Sequence, residues 1–495
     1  MNLAEIIEQH PQDAVALISR GRPTTYGELR RQTASLRGLL VECGVERGDR
    51  VAILCGNSRY FVIAYLAALG VGAVAVPLNV MSPSSEIQRE LDVVQPRVVF
   101  VEPAAMTAWS EVDTSGFTEL RSVIATEGHQ IDGAITLSEQ LMHAPVPILQ
   151  MGPHEVATLI FTSGTAGASK AAMLSHRNLL SNLEQLAQLN QIHSNDVVYG
   201  VLPLFHIFGL NVVLGFTLHR GATVVLVQRF DPATALETLA ERNVTVVPGA
   251  PQMWAMFAQM TGAETEVLSR IRVALTGASK MPEQVTNDLI AKFGLHVREG
   301  YGLTESAPVL TTSLTGSHKI GSIGKPVLGV QLRLVDEHGE DADQGDSGEV
   351  WAKGENIFLG YYHDQDATDR VLTHDGWLRT GDIAVFDDEG DLFLVDRLKD
   401  LIIVSGFNVY PAEVEQVLLA HSSIAQAAVV GSPHPHTGES VRAHVVLKPG
   451  VHLDEDAIIE HCQKQLARYM CPSKVLIVQS LPTGSTGKIL RRALH

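Results

Sequence analysis

Two runs of glycine and hydroxyl residues lie far apart in this chain, and each carries a lysine at or near its end. Phe161–Lys170 reads FTSGTAGASK, and Pro482–Arg492 reads PTGSTGKILRR. Glycines let backbone amides turn toward an anion, and hydroxyls add neutral donors. Thr162, Ser163, Gly164, Thr165 and Gly167 ahead of Lys170 therefore read as a phosphate cradle. The spacing G-x-x-x-x-G-K-[ST] of a Walker loop is absent. Lys488 follows Gly484 and Gly487, which favours close approach to an anion over simple solvation. Between the two runs stand YGLTE at Tyr301–Glu305, TGD at Thr380–Asp382, DRLKD at Asp396–Asp400 and SGFNVYPAE at Ser405–Glu413. An ionised carboxylate such as Asp382 has lone pairs for several donors at once. Each stretch also has a plain structural reading: a polar surface loop, a helix cap at Glu305, a turn at Asp382 or Gly406, a solvated lysine at Lys488.

The elements that must hold these residues follow from periodicity. GDRVAILCG, RVVFVEP and ATVVLVQ read as strands, and Thr25–Gly44 reads as an amphipathic helix entered after Thr24. Strand–helix alternation over the first four hundred residues predicts an α/β protein with mainly parallel sheets covered by helices. After Gly321 the texture turns to short strands with Gly and Asp turns. A boundary is expected at Asp396–Asp400. Beyond it come a helix in PAEVEQVLLAH, strands in AQAAVVGS and RAHVVLKPG, and a helix in DEDAIIEHCQKQLARYM. The linker is short and charged, which suits a hinge between two stable poses.

Length and composition bound the reading. The 495 residues exceed one core, so a large and a small domain are expected. The formal net charge of −18 argues against a nucleic-acid or anionic-membrane partner. Four scattered cysteines without a CxxC pair favour free thiols in a reducing compartment. With no secretory signal in MNLAEIIEQHPQDA, the expected location is the cytoplasm. Tyr60–Ser85 carries no charge but is interrupted by Gly70, Gly72, Pro77 and Pro83. It reads as a buried helix and an interior strand, not a transmembrane segment. Val201–Leu218 is read the same way.

Taken together and in this order, the motifs resemble the acyl-adenylate-forming (ANL) superfamily, above all its AMP-dependent acyl-CoA synthetases. The resemblance covers nearly the whole chain. It implies a large N-terminal domain, 1–396, of two parallel-sheet lobes plus a β-rich lobe, and a small mobile C-terminal α/β domain, 397–495. It implies ATP and CoA as substrates and Mg²⁺ as cofactor. Thr304 would lie at the α-phosphate and Glu305 would hold the metal. Gly277 and Ala278 of the TGA turn would lie against adenine, Tyr301 would stack on it, and Gly302 would belong to the same ATP/AMP site. Asp382 would take the ribose hydroxyls, and Arg397 would reach ribose or phosphate. Lys399 would be the pivot. Lys488 would bridge carboxylate and α-phosphate during adenylation, and Ser405 and Gly406 would line the pantetheine path. The chain departs from the family's loop at Ala166, Ser169 and Ala171, and Ala166 removes one hydroxyl donor.

PLFHIFG at Pro203–Gly209 resembles the family segment that walls the acyl pocket, placing His206, Phe208, Val212 and Val309 there. No Lys or Arg falls in Val201–Leu218, and position 300 is Gly, where an enzyme for malonate would be expected to show Arg. The implied reaction is activation of a medium- or long-chain fatty acid to acyl-AMP, then transfer to CoA. Three alternatives stand beside it. One is a fatty acyl-AMP ligase delivering to an acyl carrier protein, one an aryl-CoA ligase of the 4-coumarate type, and one a degenerate nucleotide- or lipid-binding protein. A homodimer remains open.

Overall fold

The computed structural model describes residues 1–128, 130–137, 143–162, 169–316, 318–397, 400–404, 407–434, 437–466, 468–483 and 489–494. The chain divides into two compact units. The first comprises Met1–Gln331 and Ala352–Leu378, the second Leu332–Trp351 and Arg379–His495.

Two sheets organise the first unit. One has seven strands in the order Ile135–Thr136, Ser122–Ala125, Val98–Val101, Arg50–Leu54, Val74–Pro77, Val156–Thr162 and Lys170–Ser175. It is parallel except for the last strand. The other has nine strands and is parallel through its centre, from Val15–Ser19 to Val297–Gly302. Its antiparallel edges are Arg22–Thr25 on one side, and Val309–Thr312 with Lys325–Pro326 on the other. Parallel strands are buried on both faces and so need continuous apolar runs. Val74–Pro77 and Val98–Val101 are buried throughout. The helix Arg59–Gly70 is likewise buried on every side. The charge-free stretch is thus a core helix followed by a core strand, as its interruptions predict, and no described helix is long and apolar enough to cross a membrane.

Three sequence expectations need correction. The first long helix is Tyr26–Glu42, capped by Thr25, whose side chain accepts from the Glu28 amide. Thr24 is spent in the strand Arg22–Thr25 opposite Leu17. Val201–Leu218 contains no strand: Phe208–Gly215 is a π-helix that continues into the α-helix Phe216–His219. The helix read through Met470 ends at Gln463.

In the second unit, Gln331–Val335, Gly348–Lys353, Leu378–Phe386 and Leu392–Arg397 form a four-stranded sheet, a few of whose end residues count with the first unit. A further sheet is built around the long hairpin of Ile424–His434 and Gly438–Leu447, with the helix Pro411–Ala420 packed on it. Its core includes Val414, Leu418, Val429, Val445, Ile458 and Cys462, all buried.

Trp254 tests the packing of the nine-stranded sheet. It is fully buried, stands edge-on to Phe257 at 5.9 Å, and donates from Nε1 to the Leu275 carbonyl at 3.1 Å. Removing so large a buried side chain forfeits its burial and leaves a cavity. Trp254→Ala should lower the stability of the first unit by about 3–5 kcal/mol. Urea unfolding followed by circular dichroism checks this, and an unchanged midpoint would contradict it.

Candidate active site

The segment expected to cradle phosphate has its described ends on two antiparallel strands. Thr162 ends the strand Val156–Thr162 and Lys170 begins the antiparallel strand Lys170–Ser175, with the two residues in register. The Thr162 hydroxyl donates to the Lys170 carbonyl at 3.4 Å. Ser163, Gly164, Thr165 and Gly167 lie outside the described residues, as do Lys399, Ser405, Gly406 and Lys488.

YGLTE leaves the strand Val297–Gly302 and passes into the short 3₁₀ turn Thr304–Ser306. Glu305 caps no helix: the turn ends at Ala307, with φ +64°, and the chain returns as the strand Val309–Thr312. Gly302 admits no side chain, because a Cβ there would stand 1.8 Å from the Pro308 carbonyl oxygen.

This irregular stretch is held by side-chain amides. Asn182 pairs with Val309 in both directions, donating to its carbonyl at 2.9 Å and accepting from its amide at 3.1 Å. Asn211 donates to the Ala307 carbonyl at 2.7 Å, and Asn356 to the Ser306 carbonyl at 2.8 Å. The Phe358 amide donates to the Glu305 carbonyl at 2.9 Å. Asn178 in turn fixes the Glu355 and Ile357 carbonyls at 2.8 and 2.7 Å.

The Glu305 side chain meets Tyr361, whose hydroxyl donates to Oε1 at 2.6 Å. Burial first, then the Glu305 charge, pushes the Tyr361 phenol up, so it stays a donor. The Lys170 ammonium stands 5.1 Å from the centre of the Tyr361 ring. Lys170, Tyr361 and Glu305 thus form one cluster where the two large sheets present their ends.

Tyr301 is buried, and Ala278 is exposed at φ +69°. Gly277 is buried beside Phe208, whose ring carbons would lie 3.4–3.6 Å from a Cβ at that position. His206 is half-buried and its Nδ1 accepts from the Phe208 amide at 3.2 Å. Val212 is buried and Val309 half-buried, whereas Leu210 and Val213 are core residues at 1% and 0% exposure. Asn57 secures the approach to this segment: its Nδ2 donates to the Gly200, Leu202 and Val227 carbonyls, and its Oδ1 accepts from the Leu204 amide.

Asp382 and Arg397 belong to the second unit. Asp382 is 3% exposed and lies opposite Arg397 in the hairpin register. TGD is therefore no turn but part of the strand Leu378–Phe386, tied there by Thr380 to the Val350 carbonyl at 2.7 Å, and by the Gly381 amide to Glu349 at 3.0 Å.

Sequence reasoning missed Tyr361 and the amides at 178, 182, 211 and 356. A signal existed for two of them: Asn178 and Asn182 recur at helical spacing among the leucines of NLLSNLEQL, on the buried side of the helix His176–Gln188.

Known proteins match nearly the whole length of this chain. A family model described as AMP-binding enzyme matches residues 3–362, and one described as AMP-binding enzyme C-terminal domain matches 413–488. A long-chain-fatty-acid–CoA ligase of Yersinia pestis is 34% identical, over 98% of this chain and 91% of its own length. A 4-coumarate–CoA ligase of Oryza sativa is 33% identical, over 96% of this chain and 87% of its own. Among solved structures, ATP-bound MatB from Rhodopseudomonas palustris superposes with a TM-score of 0.92 at 30% identity, covering 100% of this chain and 98% of that one.

Glu299, two residues before Tyr301, supplies a pH test. Its carboxylate accepts from the Met281 amide at 3.3 Å, tying down the segment after the TGA turn, and burial pushes it up to about 7 from 4.5. Folded Glu299 holds its proton more tightly than unfolded Glu299. Its contribution is therefore fully present below pH 4.5 and lost as pH rises through about 7. Glu299→Gln keeps the acceptor and should remove on the order of 3 kcal/mol of that pH dependence. Urea midpoints from pH 4.5 to 8 check this, and parallel curves for the two proteins would contradict it.

Proposed function

The chain belongs to the AMP-binding enzyme family of acid–thiol ligases, and on that footing we propose that it activates a medium- or long-chain alkyl carboxylate as acyl-AMP and transfers the acyl group to CoA. The observation that carries the choice of acid is the uncharged segment Val201–Leu218, with half-buried Phe208 beside Gly277 and Val212 on the π-helix. The one polar side chain inside that helix, Asn211, is spent on the Leu179 and Ala307 carbonyls and offers nothing to a polar substrate. An aryl acid is the second reading, favoured by the relative named a 4-coumarate–CoA ligase.

In this reading Lys170, with Thr162, Ser163, Gly164, Thr165 and Gly167, takes the ATP phosphates. Tyr301, Gly277 and Ala278 take adenine, with Gly302 in the same nucleotide site, while Asp382 takes the ribose and Arg397 reaches ribose or phosphate. Thr304 lies at the α-phosphate, while Lys488 offsets the repulsion between the attacking carboxylate and that phosphate. A magnesium ion fits the Glu305 donor set: a hard carboxylate whose Oε1 accepts from Tyr361, with no described residue donating to Oε2. When bound it supplies positive charge to the phosphate oxygens.

The small domain, starting at 397, then pivots at Lys399 and brings Ser405 and Gly406 to the pantetheine path. The two half-reactions should separate by mutation. Lys488→Ala should abolish adenylation but spare CoA attack on supplied acyl-AMP, and Gly406→Leu should do the reverse. Lys399→Pro, which fixes φ at the pivot, should slow the overall reaction more than the first half. Equal damage to both halves by Lys488→Ala and Gly406→Leu, with folding intact, would contradict rotation. For the substrate, pyrophosphate release across an acid panel should favour alkyl acids of medium or long chain over malonate and amino acids. Faster turnover of malonate than of the fatty acids would contradict the assignment.

A further inference from the structure

Tyr361 occupies a position that neither phosphate binding nor acyl binding explains. Its segment is laced onto the strand that begins at Lys170: the Met173 amide donates to the Gly360 carbonyl at 2.9 Å, the Leu359 amide to Met173 at 3.0 Å, and the Tyr362 amide to Ala171 at 2.8 Å. The Tyr361 amide itself donates to the Thr368 hydroxyl at 2.9 Å. Phe358 stands edge-on to the Tyr361 ring at 5.0 Å, and its amide holds the Glu305 carbonyl. The side chain is 9% exposed, so its direction is set by packing on all sides.

One residue therefore faces both charged groups of the cluster. We propose that Tyr361 is a positioning residue: its hydroxyl commits Glu305 Oε1, so that the other carboxylate oxygen is presented to the metal–phosphate group, while its ring face carries the Lys170 ammonium. The proposal rests on the reading of Glu305 as the metal-holding carboxylate. The physical reason is that a carboxylate on a three-residue turn is free to rotate about its side-chain bonds. A short hydrogen bond from a fixed phenol removes that freedom before substrate arrives, as partners behind metal ligands generally do. An ammonium over an aromatic face is attracted by the ring's quadrupole.

The two duties separate in two variants. Tyr361→Phe keeps the ring and loses the hydroxyl, and Tyr361→Leu loses both. Binding of the Mn²⁺·ATP complex, followed by electron paramagnetic resonance, reads the metal duty without turnover. Calorimetric binding of ATP in EDTA reads the lysine duty. Tyr361→Phe should weaken Mn²⁺·ATP binding roughly tenfold and raise the Mg²⁺ needed for half-maximal adenylation by a similar factor. Its ATP affinity in EDTA should match the native enzyme. Tyr361→Leu should lose affinity in both assays. Glu305→Gln is the control, and combining it with Tyr361→Phe should weaken metal binding little beyond Glu305→Gln alone.

Native metal binding in Tyr361→Phe, with a strong loss in Glu305→Gln, would overturn the positioning role and leave the reading of Glu305 intact. Native metal binding in both variants would overturn that reading, and the proposal with it. Tyr361→Phe removes a single oxygen atom, so the decision rests on that variant even where Tyr361→Leu proves unstable.

Discussion

A carboxylate can be presented from an irregular turn only if the turn's own backbone is paired. Residues 303–308 leave one strand and return as the next without a continuous ladder, and Ser306, Ala307 and Pro308 are buried. Buried carbonyls without partners cost free energy, about 1–3 kcal/mol each. Here Asn211 and Asn356 meet the Ala307 and Ser306 carbonyls, the Phe358 amide meets that of Glu305, and Asn182 holds Val309 where the next strand begins. Those groups come from three separate parts of the first unit. The position of Glu305 therefore depends on its fold as a whole, and so does Tyr361, which is held by the same chain segment.

The same economy of polar groups shapes the neighbouring apolar wall. Asn211 sits inside the π-helix at 2% exposure with its amide directed at backbone carbonyls. At the start of the same helix, Gly209 allows a close approach to the preceding chain, since a Cβ there would lie 2.1 Å from the Pro203 carbonyl oxygen. A π-helix is rare and is often found at functional sites. Its side chains divide between the core, as with Leu210 and Val213, and the half-buried Phe208 near the TGA turn.

Much of this was legible in the sequence. Apolar runs located the parallel strands, and the interruptions in Tyr60–Ser85 separated a core helix from a core strand. The order of motifs identified the chemistry, because glycine, hydroxyl and charge occur there in combinations that packing does not require. The rest was hidden for physical reasons. Nothing local marks Phe208–Gly215 as a π-helix, because its apolar residues suit a strand or a helix equally. Propensity does not mark the end of the helix at Gln463, because the residues after it in KQLARYM include good helix formers. Tyr361 reads as one aromatic among neighbours in FLGYYHD, and its contact with Glu305 becomes visible once its segment is paired with Met173 and Ala171 and packed in place.

The reaction proposed for this chain begins when a carboxylate attacks ATP to form an acyl-adenylate, before any thiol is involved. Exchange of radiolabelled pyrophosphate into ATP tests it most directly, because label enters ATP only when adenylate formation runs backward. With Mg²⁺, ATP and an alkyl carboxylate but no CoA, exchange should occur and should depend on the acid. Overall acyl-CoA formation without any such exchange, or exchange that proceeds equally well with no acid present, would contradict it.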